Sequence, residues 1–325
     1  MLFLLKNGTA VSEYQYFEFA AMDGPIPDEG LRYARSCSSR AEVSRVRWQN
    51  TYNFGDFHGS IDTLLKYYDA HFYIANWGTV RLGLAFPKGI IAPEAIQPHL
   101  RGAERHEDTL TIKEIGDRCI VYWERNEEGG WGWTEGEGLI DQLIGIREEL
   151  MRGAHRALFL GWLADFDPDE RRDPSKGAVL MPPIPAGLAD LSPALEKLME
   201  LFEVDRDAFS VATTLSQASS AARVPMATVL EKLPVAQMRA LLARVADGDQ
   251  GVMAELNRLT NPRVKIPVGP AMECADFAAK IAEAREARLD KEAAAARAKR
   301  QREAEEWSQH LASVIAARPY DMART

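Results

Sequence analysis

A chain of 325 residues, 46% hydrophobic and 27% charged, carries enough apolar sequence for two or three folding units and is too balanced to be disordered. Its net charge of −9 arises in residues 101–200, where 12 basic face 21 acidic residues, so a uniformly basic nucleic-acid binder is excluded. Three cysteines, Cys37, Cys119 and Cys274, are too few and too far apart for a disulfide framework or a zinc knuckle, and fit a reducing compartment.

Met1 to Lys6 form too short an apolar run for a signal-peptide core, and no later stretch reaches the ~20 apolar residues that span a bilayer, so a cytoplasmic address is expected. Met1 to Ala10 differ in character from the strand that opens at Val11, which suggests a start at the Val11 codon. Tyr14-Gln-Tyr-Phe-Glu-Phe predicts a strand by alternation and aromatic content. Acidic residues after Gly24-Pro-Ile-Pro open a helix over Glu29 to Cys37, and Val43 to Tyr52 alternates again. A short helix follows over Ile61 to Tyr68. His71-Phe-Tyr-Ile-Ala and Val80 to Phe86 flank the turn Asn76-Trp-Gly, and Leu110 to Ile115 and Cys119 to Glu124 flank Gly116-Asp117, giving two hairpins. The order implies an α+β body with a mainly antiparallel sheet and helices on one face, the ferredoxin-like arrangement being one candidate.

Two helices are expected over Leu139 to Met151 and Ala154 to Leu163, then a polar, breaker-rich linker. The remainder reads as an all-α arm with helices near 193–202, 207–219, 226–233, 235–246 and 250–259, ending in a long charged helix from about Ala275 to Arg318. The expected division is 1–164 for the body, 165–187 for the linker, 188–262 for a helical subdomain and 263–325 for an extended segment and the long helix.

Asp56-Phe-His58 and Asp69-Ala-His71 repeat the D-x-H spacing that places two metal-ligating side chains on one strand face, as in metallophosphoesterases. The further signatures of those enzymes, a downstream G-D-x-x-D and a G-N-H pair, are absent, and ordinary structural roles are expected, with no metal and no cofactor. Trp131-Gly-Trp133 beside Glu135 and Glu137 has the ingredients of a sugar cleft, but two acids on one loop are not an opposed catalytic pair; the tryptophans should cap the core. The glycines at 129, 130, 132, 136 and 138 fit no phosphate-binding motif and lie in an acidic loop. Cys37 has no histidine near it in sequence and no G-x-S-x-G elbow exists, so nucleophilic catalysis has no visible support.

Arg45 and Arg47, within a cluster with Arg32, Arg35 and Arg40 beside Trp48, would be the contacts of a nucleic-acid surface, which is possible but not favoured because charged strand faces are usually only solvated. The long helix is the more informative segment. Between 275 and 300 its large apolar residues are Phe277, Ile281 and Leu289, whereas Trp307, Leu311, Val314 and Ile315 form an apolar stripe near its end. A polar spacer with a sticky tip predicts docking on a protein partner, a second copy or the chain's own body; a marginal coiled coil or a helix lying along the body is the plainer alternative. Tyr14-Gln-Tyr-Phe-Glu-Phe, Phe54-Gly-Asp-Phe, Ala75-Asn-Trp-Gly and Leu158-Phe-Leu-Gly-Trp-Leu together resemble a family of bacterial intracellular proteins with no assigned activity. That resemblance implies an intracellular bacterial origin and carries no site residue. The expected function is thus a non-enzymatic intracellular interaction or assembly protein, with a metal-dependent hydrolase or nuclease, or a nucleic-acid accessory protein, as alternatives.

Overall fold

The computed structural model describes residues 13–100, 109–126, 134–171, 178–218, 226–247, 252, 256 and 272–317. Seven strands form one sheet: β1 (Gln15–Ala20), β2 (Glu42–Val43), β3 (Arg47–Tyr52), β4 (Ala70–Ala75), β5 (Thr79–Pro87), β6 (Leu110–Ile115) and β7 (Arg118–Asn126). Their order is β2-β3-β1-β4-β5-β7-β6, and all six neighbouring pairs are antiparallel. The α+β class is therefore as expected. A ferredoxin-like sheet is not formed, because there each helix joins two parallel strands with a third inserted between them, whereas here the helix at Asp28–Ser36 lies between β1 and β3, which are antiparallel neighbours.

Helices cover both faces of the sheet, not one. The reason lies in the central strands: every residue of β1 and β4 is buried, so neither strand has a solvent side. On one face α1 (Asp28–Ser36) and α2 (Ile61–Leu64) pack Ala34 and Leu64 near Phe19, Trp48 and Ile120. On the other, α4 (Leu139–Leu143), α5 (Gly145–Met151) and α6 (Arg156–Asp165) bring Ile140, Ile146 and Leu158 into a core with Phe72, Leu84 and Trp123. The single helix expected over 139–151 is thus two, broken between Leu143 and Gly145.

One end of the sheet is tied by buried charge. Asp69, which precedes β4, accepts from the backbone N–H of Met22 and Asp23 at 2.6 and 3.0 Å and pairs with the Arg118 guanidinium. Arg147 of α5 donates to both Asp23 oxygens at 2.8 and 2.5 Å and to the Ala85 carbonyl at 2.9 Å.

After α3 (Pro93–Ile96) and α7 (Pro168–Arg171) come α8 (Pro193–Leu201), α9 (Arg206–Leu215), α10 (Met226–Lys232), α11 (Val235–Ala246) and α12 (Cys274–Ala317). α8 adds Leu195, Leu198 and Leu201 to the core on the α4–α6 face. α6 is apolar all round, which is stable only in an interior. Its Leu158 and Leu160 face the sheet-side core, while Phe159, Trp162 and Leu163 join a further cluster with Val211 of α9 and Phe277 and Ile281 of α12. Within the stretch read as a linker, Met181 N–H donates to Met272 O and Val179 O accepts from Cys274 N–H. Residues 1–12, Trp131, Trp133 and most of the helix expected over 250–259 lie outside the described residues.

Candidate functional site

The first half of α12 is anchored to the body. Phe277, Ala278 and Ile281 are fully buried. Asp205 caps α9 by accepting from Asp207 and Ala208 N–H, and its other oxygen takes Arg285 at 2.9 Å. Arg288 holds Asp207 by two hydrogen bonds of 2.7 and 2.9 Å, which keeps that carboxyl below its ordinary range. Among the described residues, Glu292, paired with Arg206 at 3.3 Å, is the last of α12 with an ion pair to the body.

Every residue from Leu289 to Ala316 is exposed. Leu289, Trp307, Leu311, Val314 and Ile315 are 52, 66, 52, 42 and 69% accessible, so the expected apolar tip is present and does not rest on the chain's own body. Taken at roughly 100° per residue, Leu289, Ala293, Ala296, Ala304, Trp307, Leu311 and Val314 form one stripe, turned about a quarter of a revolution from the buried face at Ile281. The stripe therefore continues past the anchor without competing with it.

The D-x-H residues do not form one site. Asp56 and His58 lie in the exposed loop after β3. Asp69 is committed to two guanidinium groups and two backbone N–H groups, as above, with Arg147 at 3.7 Å. His71 is buried in β4, stacked on Phe19 at 4.4 Å, and its Nδ1–H donates to the Glu18 carbonyl at 3.2 Å. Its Nε2 has no partner among the described residues, and desolvation lowers its pKa to about 3, so the ring is neutral. Among the described residues no three His, Cys, Asp or Glu side chains are placed to share a metal ion.

Arg45 and Arg47 are likewise occupied. Arg45 pairs with Asp28 and donates to the Ile26 carbonyl at 2.9 Å. Arg47 pairs with the buried Glu18 and with Asp141 at 2.5 Å. Glu18 in turn accepts from Tyr16 OH at 2.9 Å, and burial pushes its carboxyl up despite these partners. Cys37 donates to Tyr33 O at 3.3 Å, and burial raises its thiol, away from the thiolate form a nucleophile needs.

Sequence reasoning missed an open cleft of about 860 Å³ on the α1/α2 face, rimmed by Trp77 and walled by Asp56 and Phe57. Its floor crosses four strands through Gln15, Tyr73, Arg81 and Glu124. Arg81 grips Glu124 by two bonds of 2.7 and 2.6 Å, Tyr73 OH donates to Gln15 Oε1 at 3.2 Å, and Gln15 Nε2 donates to Gly55 O at 3.1 Å. These groups satisfy one another, which leaves the floor few free contacts for a ligand. Only the strand register, which sets Arg81 opposite Glu124, could have signalled the pairing.

The fold and this surface define an α+β protein with an anchored helix whose outer half is exposed. No family model, no curated protein and no solved structure matches the chain. Among the described residues no helix is long and apolar enough to cross a membrane.

Proposed function

We propose that the chain is a non-enzymatic, cytoplasmic interaction or assembly protein that engages a protein partner through the outer half of α12. The observation that carries this is the exposure of Trp307, Leu311, Val314 and Ile315 on one helix end, beyond the last ion pair to the body among the described residues. Leaving such side chains in water forfeits roughly 1.5–3 kcal/mol each, a cost that association would recover. Three free cysteines, two of them buried, support a reducing compartment. A hydrolase or nuclease built on Asp56, His58, Asp69 and His71 gains no support from a set that does not converge, nor does a nucleic-acid surface built on Arg45 and Arg47, which are paired with carboxylates.

The test is the double substitution Trp307→Ala with Leu311→Ala, followed by thermal melting and hydrogen exchange of the body and by sedimentation. The body should melt as in wild type while association weakens. A lowered melting temperature, or association unchanged at every concentration, would reject an interaction role for the tip.

A further inference from the structure

We propose that the exposed half of α12 pairs with the same helix of a second copy of the chain, antiparallel and centred near Arg302. This rests on the reading of α12 as an association surface and names its partner.

Volume complementarity supports the pairing. The inner part of the stripe is small, with Ala293 and Ala296, and the outer part is large, with Trp307, Leu311 and Val314. With the two helices level at residue 302, Leu311 of each copy lies against Ala293 of the other, and Trp307 enters the hole bounded by Ala293, Ala296 and Arg300. Large side chains meet small ones at both ends of the seam. A parallel pair would set Trp307 against Trp307 and alanine against alanine, overfilled in one place and void in the other.

Charge gives the same answer from different residues. Arg297, Lys299, Arg300 and Arg302 are followed directly by Glu303, Glu305 and Glu306. On that projection Arg300 lies on the stripe and Glu303 flanks it, so antiparallel pairing sets Glu303 of each copy level with residue 301 of the other, beside its Lys299 and Arg300, twice over by two-fold symmetry, whereas parallel pairing sets Glu303 against Glu303. Within one copy the charges do not absorb each other: Lys299–Glu303 at 3.8 Å is the one ion pair among these seven side chains in the described residues.

Reach explains why the occupant is another molecule. A straight helix carries Trp307 roughly 22 Å beyond Glu292. Among the described residues, the body could cover the stripe only if α12 broke, and no proline or glycine interrupts it.

The experiment uses the full chain. Sedimentation should show a reversible monomer–dimer equilibrium below about 100 µM, typical of modest interfaces. On a Cys119→Ser background, with Cys37 and Cys274 buried, spin labels at Ser313→Cys should lie roughly 33 Å apart in the dimer, against about 15 Å or less for a parallel pair. Reversal by Lys299→Glu and Arg300→Glu should weaken dimerisation about 10-fold or more, and adding Glu303→Lys should restore it. A monomer at about 100 µM, close labels at 313, or wild-type dimerisation by the singly reversed variant overturns the proposal. Close labels at 313 or an undisturbed reversed variant overturns the pairing alone; the interaction role falls if truncating the tip lowers the body's melting temperature or leaves association unchanged at every concentration.

Discussion

Replacing Asp69 with alanine separates a structural anion from a metal ligand. Its side chain is 1% accessible and neutralises Arg118, with Arg147 at 3.7 Å, while accepting from Met22 and Asp23 N–H. Without it, Arg118 keeps the Leu65 and Tyr68 carbonyls at 2.9 and 2.8 Å but loses its buried counter-charge, and two N–H groups lose their acceptor. Breaking a buried pair from one side costs about 3–5 kcal/mol. The orphaned N–H groups would add to this, and Asp23, still bound to Arg147, offsets a part. Taking about 4 kcal/mol and about 2 °C per kcal/mol, the lower end of the scale for large domains, the melting temperature should fall by roughly 8 °C. The assay is thermal unfolding followed by circular dichroism, with and without a chelator, on wild type, Asp69→Ala and His58→Ala. Asp69→Ala should be destabilised equally in both conditions, and His58→Ala should match wild type. If Asp69→Ala melts within about 2 °C of wild type, or if the chelator alone reproduces its loss, the buried-network account is wrong.

Other substitutions test other parts of the fold. Because His71 titrates near pH 3 when folded and near 6.5 when unfolded, the unfolded chain binds the extra proton in between, so stability should decline as pH falls from about 6.5 towards 3. His71→Phe, which keeps the stack on Phe19, should remove one proton's share of that slope; His99, lowered to about 4, keeps its own share, and an unchanged slope in urea titrations would refute the assignment. Gly161→Ala would normally favour a helix by ~1 kcal/mol, but here the new Cβ would lie 2.8 Å from Trp123 Nε1, so a loss of about 1–3 kcal/mol in denaturant unfolding is expected. Arg47→Ala leaves the buried Glu18 without its cation and should cost about 2 kcal/mol, discounted because Arg47 is one-third exposed, while binding to single-stranded DNA is unchanged from wild type.

Much of the local structure was determined by the sequence alone. The helix expected over 193–202 spans Pro193–Leu201, that over 235–246 spans Val235–Ala246, and both hairpins turn at Asn76-Trp-Gly and Gly116-Asp117. These features follow from local signals: apolar period, proline at a helix start, glycine in a turn. The apolar tip of α12 was legible for the same reason, since a stripe on one helix needs no tertiary partner to be seen. Tertiary structure decided which groups meet. Asp69 and His71, two apart in sequence, diverge because Asp69 is drawn to arginines 49 and 78 residues later while His71 faces the aromatic core. Arg47 found its counter-ions 29 residues before and 94 after it. The second covered face of the sheet, the α6 interface with α9 and α12, and the mutually satisfied cleft floor likewise depend on pairings between distant segments. Periodicity gives the direction a side chain takes from its own backbone, but its partner is fixed by strand register and helix packing, which are properties of the assembled chain.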